Sequence, residues 1–128
     1  MTVTIEDILS KYPENVSTLA LKLRQFLLNQ LKGIIEGPDN SANIIGYGFG
    51  PGYKNMICTI ILSKKGVKLG FYKGTELPDP GKLLTGSGKV HKYVEIRSIR
   101  DLNTELKNLL EEALKMYKKR IANNPKAD

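Results

Sequence analysis

The chain opens on apolar residues at helical spacing. Ile5, Ile8, Leu9 and Tyr12 follow Thr4, Asp7 stands three residues after that threonine as in a capping box, and Pro13 ends the run, so the pattern predicts a short first helix. Val16, Leu19, Ala20, Leu23, Phe26, Leu27, Leu31 and Ile34 then share one face of a longer helix, with Asn15 as its cap and Gly33 or Gly37 as its stop. From Gly37 turn-forming residues take over. Beyond them four β-rich runs are spelled at Asn43 to Tyr47, Met56 to Leu62, Val67 to Tyr72 and His91 to Arg97. Val67, Leu69 and Phe71 alternate with Lys68, Gly70 and Tyr72, and Val94 and Ile96 alternate with Tyr93, Glu95 and Arg97, so the sheet has one apolar face and is covered on one side. Ser63, Lys64, Lys65 and Gly66 form a short polar connection that makes the second and third strands an antiparallel hairpin. Ser98 and Asp101 repeat the Ser-x-x-Asp capping signal, and Leu102, Leu106, Leu109, Leu110, Ala113, Leu114 and Tyr117 trace a last helix after it.

Helices before and after a block of strands define an α+β fold in two layers: an antiparallel sheet of about four or more strands, with N-terminal and C-terminal helices packed on one face. A chain of 128 residues with 41% hydrophobic content has the size and the apolar supply for one domain. Residues 1–122 are assigned to it, and 123–128, polar and containing Pro125, to a frayed tail. The longest apolar run, Met56 to Leu62, is far shorter than the roughly 20 residues of a membrane-spanning helix. Met1 to Ile8 lacks a basic segment followed by an apolar stretch, so a cytoplasmic protein without membrane contact is expected. Cys58 is the single cysteine and lies inside that apolar run, which makes it a small buried hydrophobe with no disulfide to form.

Charge narrows the choice of partners. Twenty Lys and Arg against 13 Asp and Glu give a net charge of +7, which biases the surface toward nucleotides, phosphorylated metabolites, acidic protein surfaces or nucleic acid. Lys115, Lys118, Lys119 and Arg120 are the densest cluster and fall at the end of the last helix, where cations complement the macrodipole and keep the surface solvated.

Between the third and fourth strands the chain reads Leu77-Pro78-Asp79-Pro80, then Leu83-Leu84, then Gly86-Ser87-Gly88-Lys89, all preceded by Leu69-Gly70-Phe71-Tyr72-Lys73-Gly74. In this order it resembles the YdhG-like family. The family pattern is a strand ending in Gly-Phe with a following Gly, a Leu-x-Asp-Pro turn, a Leu before Gly-x-Gly-Lys, and a basic strand leading to a helix. The resemblance covers roughly Ile5 to Leu114 and departs at Gly48-Phe49-Gly50-Pro51-Gly52-Tyr53, where members read aromatic-Gly-x-Pro-x-Tyr. It implies a compact bacterial α+β fold of frataxin-like layout and no established enzyme activity. Through members likened to frataxin it also implies an intracellular iron carrier as one function.

Gly86-Ser87-Gly88-Lys89 invites comparison with a phosphate loop, because backbone N–H groups of a Gly-rich turn converge on anions. The full Walker motif is absent, since Leu83 and Val90 stand where it needs Gly and Ser or Thr. What remains is a basic Gly-rich turn. Lys73, Gly86, Ser87, Gly88, Lys89 and Lys92 are the candidate anion-binding residues, with Tyr72, Asp79 and His91 at the pocket edge; the competing reading is a structural lid folded down by Leu77, Leu83 and Leu84. Arg97 lies an odd number of residues from Lys92 and so points to the other face, as a partner of Glu95 or Asp101. His91, the only histidine, has no nucleophile or second histidine near it in sequence, and no catalytic residue is assigned.

Iron would need ligands gathered from Glu6, Asp7, Glu14, Glu36, Asp39, Glu111 and Glu112, whose spacing is not diagnostic, so no metal site and no cofactor are assigned. Tyr47, Phe49, Tyr53, Phe71 and Tyr72 have the composition of a base-stacking platform, and equally of a core edge. The expectation is therefore a non-enzymatic domain binding a small anionic metabolite at loop 75–92. Iron carriage and nucleic-acid binding are the alternatives, nucleic acid being the least supported partner. The oligomeric state is left open, a homodimer included.

Overall fold

The computed structural model of the chain describes residues 4–39, 43–50, 55–86 and 88–123. Thr4 caps helix α1 (Ile5–Leu9) as its sequence requires: its hydroxyl accepts the Asp7 N–H at 3.1 Å, and the Asp7 carboxylate accepts the Thr4 N–H at 2.9 Å. Helix α2 (Glu14–Gln30) begins one residue before Asn15. Pro13 is the N-cap, and its carbonyl accepts the N–H groups of Val16 and Ser17, both at 3.0 Å, so Asn15 lies inside the helix. The helix stops at Gln30 because Leu31 leaves helical geometry at φ −113°, ψ 80°, and Gly33 takes φ +80°, a left-handed conformation that suits glycine. Ile34 is therefore beyond the helical face on which its spacing had placed it.

The chain then enters strand β1 (Ile35–Asp39), where Gly37 and Pro38 had predicted only turns. β1 is an edge strand, and an edge has one side without a hydrogen-bond ladder, which is where a strand tolerates proline. Strands β2 (Ile44–Gly48), β3 (Met56–Ser63), β4 (Gly66–Phe71) and β5 (Lys92–Ile96) follow, and the five form one antiparallel sheet in chain order. The expected hairpin joins β3 to β4: Ser63 pairs with Gly66, and its hydroxyl accepts the N–H groups of Lys65 and Gly66, each at 3.2 Å.

Register sorts the side chains. Tyr47, Cys58 and Phe71 form one row across the inner face, Ile45, Ile60, Leu69 and Val94 a second, and Leu62, Val67 and Ile96 a third. All are buried, and α2 and α3 cover them with Ala20, Leu23, Leu27, Leu106 and Leu110. Each such aliphatic side chain removed from water stabilises the fold by about 1.5–3 kcal/mol. Tyr47 and Phe71 are thus core residues, which removes them from any base-stacking surface.

Helix α3 (Thr104–Asn123), by contrast, starts later than its capping signal. The Ser98–Asp101 box caps a single 3₁₀ turn at Ile99–Asp101, and Leu102 breaks out of helical geometry at ψ 74°. The helix is capped instead by Asn103, whose side-chain oxygen accepts the Leu106 N–H at 3.1 Å. α3 runs through Asn123, and residues 124–128 lie outside the described residues. Among the described residues no helix is long and apolar enough to cross a membrane.

The connection from β4 to β5 packs down on the sheet. Leu77 is buried, and Leu83 and Leu84 pack against the core. Thr85 exchanges two backbone hydrogen bonds with Tyr93, at 2.8 and 3.0 Å, so that the loop covers the outer edge of β5.

Candidate functional site

The face of the sheet opposite the helices carries an unusual row. Gly37, Gly46, Thr59, Gly70 and Tyr93 are in register from β1 to β5, and three of the five have no side chain. The neighbouring row runs Asp39, Ile44, Ile61, Lys68 and Glu95. The missing side chains let their neighbours lean in. A β-carbon built on Gly70 would stand 2.9 Å from Thr59 Oγ1 and 3.0 Å from Ile61 Cδ1, and one on Gly46 would stand 3.6 Å from Met56 Cε. The result is a groove of about 440 Å³ with Ile44, Met56, Thr59 and Ile61 along its length and Gly70 in its floor. Tyr72, His91, Lys92 and Tyr93 close it at the β5 end, and Asp39 stands at the β1 end.

Cations hold the aromatic end in place. The Tyr72 and His91 rings lie 5.4 Å apart, the Arg120 guanidinium sits 5.1 Å over the Tyr72 ring, and Lys73 Nζ is 5.7 Å from it. Arg120 also lies 5.4 Å from the Tyr117 ring and donates to the Met56 carbonyl at 3.2 Å. Tyr117 in turn stacks on Phe49 at 5.2 Å, and its hydroxyl meets the Asn55 side chain at 3.3 Å. Arg120 had read as one more solvated charge at a helix end. Lys115, Lys118 and Lys119 are exposed in that way, but Arg120 is half-buried and reaches the groove's end. Tyr93 has its own cation: Lys68 Nζ lies 4.4 Å over the ring, and a β-carbon on Gly86 would stand 3.0 Å from its edge.

The anion-binding candidates do not converge on one point. The Lys92 ammonium donates to the Gly86 carbonyl, closing the turn from within, and Gly86 takes φ +112° against the Tyr93 ring. Gly88 packs on the His91 carbonyl, where a β-carbon would come within 2.8 Å, and Lys89 is exposed and not among the groove's walls. Lys73 stands with Tyr72, while Ser87, like Tyr53, lies outside the described residues. Two of the pocket-edge residues, Tyr72 and His91, do meet at the groove. The third, Asp79, does not: its two carboxylate oxygens accept the Leu83 and Leu84 N–H groups at 2.9 and 2.8 Å, and it borders a different cleft beside Glu105 and Glu112. Arg97 donates to Glu95 at 2.9 Å and its backbone N–H to Asp101 at 2.7 Å, as its spacing predicts.

The acidic residues weighed for iron are occupied or dispersed. Asp7 caps α1, and Glu36 is held by Arg24 and Tyr47. Among the described residues no group of three or more His, Cys, Asp or Glu is placed to hold a metal ion. Ile44, Met56, Thr59, Ile61 and Gly70 are groove residues that sequence reasoning missed, as it missed Gly46 beneath Met56 and Arg120 over Tyr72. Period-two alternation puts Gly70 on the polar face, but only the pairing of three strands aligns it with Gly46. Compared with models of protein families, with curated proteins and with solved structures, the chain matches none.

Proposed function

We propose that this is a non-enzymatic ligand-binding domain, holding a small organic anion in the groove on the open face of the sheet. One observation carries the reading: the groove joins an apolar trough to an end built from Tyr72, His91 and Lys92, so that one cavity offers both burial and positive charge. The Lys92 ammonium, held on the Gly86 carbonyl, stands at the rim of that end. The net charge of +7 strengthens the potential around such a cleft. Catalysis is left out because the single cysteine and single histidine are apart, Cys58 buried on the inner face and His91 at the end of the outer one. The loop 75–92, first read as the site itself, becomes its rim. A cytoplasmic, YdhG-like protein without enzyme activity agrees with this reading, whereas iron carriage gains no ligand cluster among the described residues and base stacking loses Tyr47 and Phe71 to the core.

Thermal unfolding with added monocarboxylates, phosphate and nucleotides tests the proposal. A ligand at one hundred times its Kd stabilises the native state by about 2.7 kcal/mol, which is a rise of several degrees in midpoint for a domain of this size. Organic carboxylates should produce that rise, Lys92→Met should remove it, and Lys89→Ala should leave it intact. An equal rise in Lys92→Met, or none with any anion in the unchanged protein, would refute the site.

A further inference from the structure

A cleft larger than the groove opens where the start of α2, the β3–β4 hairpin and the 3₁₀ turn after β5 come together; its volume is about 1010 Å³, and it shares no lining residue with the groove. Its floor is the end of the core. Val16, Val67 and Ile96 are buried there, and Leu19 is half-buried. On the rim stands Ile99, which at 63% is the most exposed large hydrophobic residue among the described ones. A single isoleucine in water is ordinary on a protein surface. This one is held in place beside an apolar floor. The Ser98–Asp101 box fixes its turn from both ends: the Ser98 hydroxyl accepts the Arg100 N–H at 3.2 Å, and the Asp101 carboxylate accepts the Ser98 N–H at 3.3 Å. An apolar side chain on a turn already fixed loses little freedom when a partner covers it.

Six charged side chains line the cleft, four of them basic: Glu14, Lys22, Lys65, Lys68, Glu95 and Arg97. Glu95 is held by Arg97 at 2.9 Å, and Lys68 reaches over the Tyr93 ring at 4.4 Å. Lys22 and Lys65 are left, both exposed and without a carboxylate partner among the described residues, against Glu14. Lys64 and Arg100, exposed beside Lys65 and Ile99 along the chain, carry the same sign. An apolar floor thus lies under a rim with an excess of positive charge, which complements a partner that is aliphatic and acidic. We propose that this cleft docks an acidic segment of another protein, with Leu19 and Ile99 packing on its aliphatic side chains and Lys22 and Lys65 facing its carboxylates. A nucleic acid is matched less well. No aromatic side chain lines the cleft for a base to stack on, and a phosphodiester repeats its charge at every nucleotide, whereas a peptide can set an uncharged residue opposite Glu14.

Fluorescence anisotropy of the full chain with a labelled peptide of Glu-Leu-Ser repeats tests the surface at physiological salt. Peptides with lysine in place of glutamate, or serine in place of leucine, should bind at least about tenfold more weakly, as should a single-stranded oligothymidylate. Charge reversal of the rim, Lys22→Glu with Lys65→Glu, should weaken the acidic peptide at least about tenfold. Lys118→Glu with Lys119→Glu, the same change in net charge on exposed positions of α3, should change its affinity less than about twofold. Ile99→Ser should cost about fivefold or more, and Val90→Ser, at an exposed residue outside the cleft, should cost nothing. All of these positions are exposed, so the variants should fold. Equal losses in the two charge-reversed pairs would reduce the attraction to net charge and overturn the site, and so would binding indifferent to Ile99→Ser. Tighter binding of the oligothymidylate overturns the protein partner in favour of nucleic acid. No binding of the acidic peptide at up to about a millimolar overturns the proposal outright. Lys92→Met, which tests the groove, should bind the peptide as the unchanged protein does; loss in that variant would place the peptide in the groove instead.

Discussion

Glu36 stands on β1, the strand its sequence concealed, and both of its carboxylate oxygens are in use. Oε2 accepts from the Tyr47 hydroxyl at 2.6 Å and from Arg24 Nε at 2.7 Å, and Oε1 accepts from Arg24 Nη2 at 3.0 Å. The fork of Arg24 thereby ties α2 to the edge strand, and the hydrogen bond to Glu36 raises the guanidinium above its ordinary pKa. Tyr47 is fully buried, and burial first, then the hydrogen bond to Glu36, pushes its phenol well above the usual value. The folded state thus prefers the neutral phenol, while the unfolded chain ionises it near pH 10. Its contribution is complete below about pH 10 and is lost as pH rises beyond that. Urea titrations between pH 9 and 11.5 should show stability falling by up to about 1.4 kcal/mol per pH unit from this one group, and Tyr47→Phe should remove that share of the slope. An unchanged slope in Tyr47→Phe would mean that the phenol ionises freely in the native protein. At this scale the sequence was legible where a partner is three residues away, as for Thr4 and Asp7, and silent where it is 11 or 12 away, as for Glu36 with Tyr47 and Arg24.

Caps and edges decide how the elements begin and where the sheet ends. Thr4–Asp7 and Ser98–Asp101 are the same local signal, and both boxes form, yet one starts an α-helix and the other a 3₁₀ turn. The difference lies beyond the box: Leu102 turns inward to pack against the core, which breaks the run and hands the start of α3 to Asn103. Asn103→Ala should accordingly cost about 0.5–2 kcal/mol in a urea titration, whereas Asn15→Ala, within the first turn of α2, should be within about 0.5 kcal/mol of neutral. Equal losses at the two positions would count against Asn103 as the cap. The two edges of the sheet are blunted by different means, Pro38 on β1 and the bridging Thr85 alongside β5, and each discourages pairing with another chain. Those devices were on view in the sequence only as turn formers. A proline or a glycine-rich loop reports a backbone preference, and only the position at an edge gives that preference a use.

Cys58 lies in the central strand, between Tyr47 and Phe71, and so reports on the molecule as a whole. It is fully buried, and burial raises its thiol well above the ordinary pKa, so reagent and thiolate meet only when the sheet opens. Alkylation by iodoacetamide should therefore be slower than in urea by a factor of about 10³ or more, and destabilising substitutions such as Asn103→Ala should speed it in proportion to the stability they remove. Rapid labelling of the native protein would show that β3 opens locally, without global unfolding. The same centre explains what was readable in advance. Periodicities of 3.6 and 2, a polar four-residue hairpin and an apolar run around Cys58 are properties of neighbours along the chain. They determined three helices, four of the five strands, the two-layer α+β class and the burial of the cysteine. Loop folding by Leu77, Leu83 and Leu84 was readable for the same reason, since apolar residues in a polar loop need somewhere dry to go. The groove was not. Gly46 and Gly70 are 24 positions apart by number and adjoin Thr59 only through the register of β2, β3 and β4, while Arg120 reaches the Met56 carbonyl across 64 residues. A strand's alternation says which side chains share a face, but not which residue of the next strand stands beside them; that choice belongs to the packed sheet, and it made a floor out of glycines that singly read as turns.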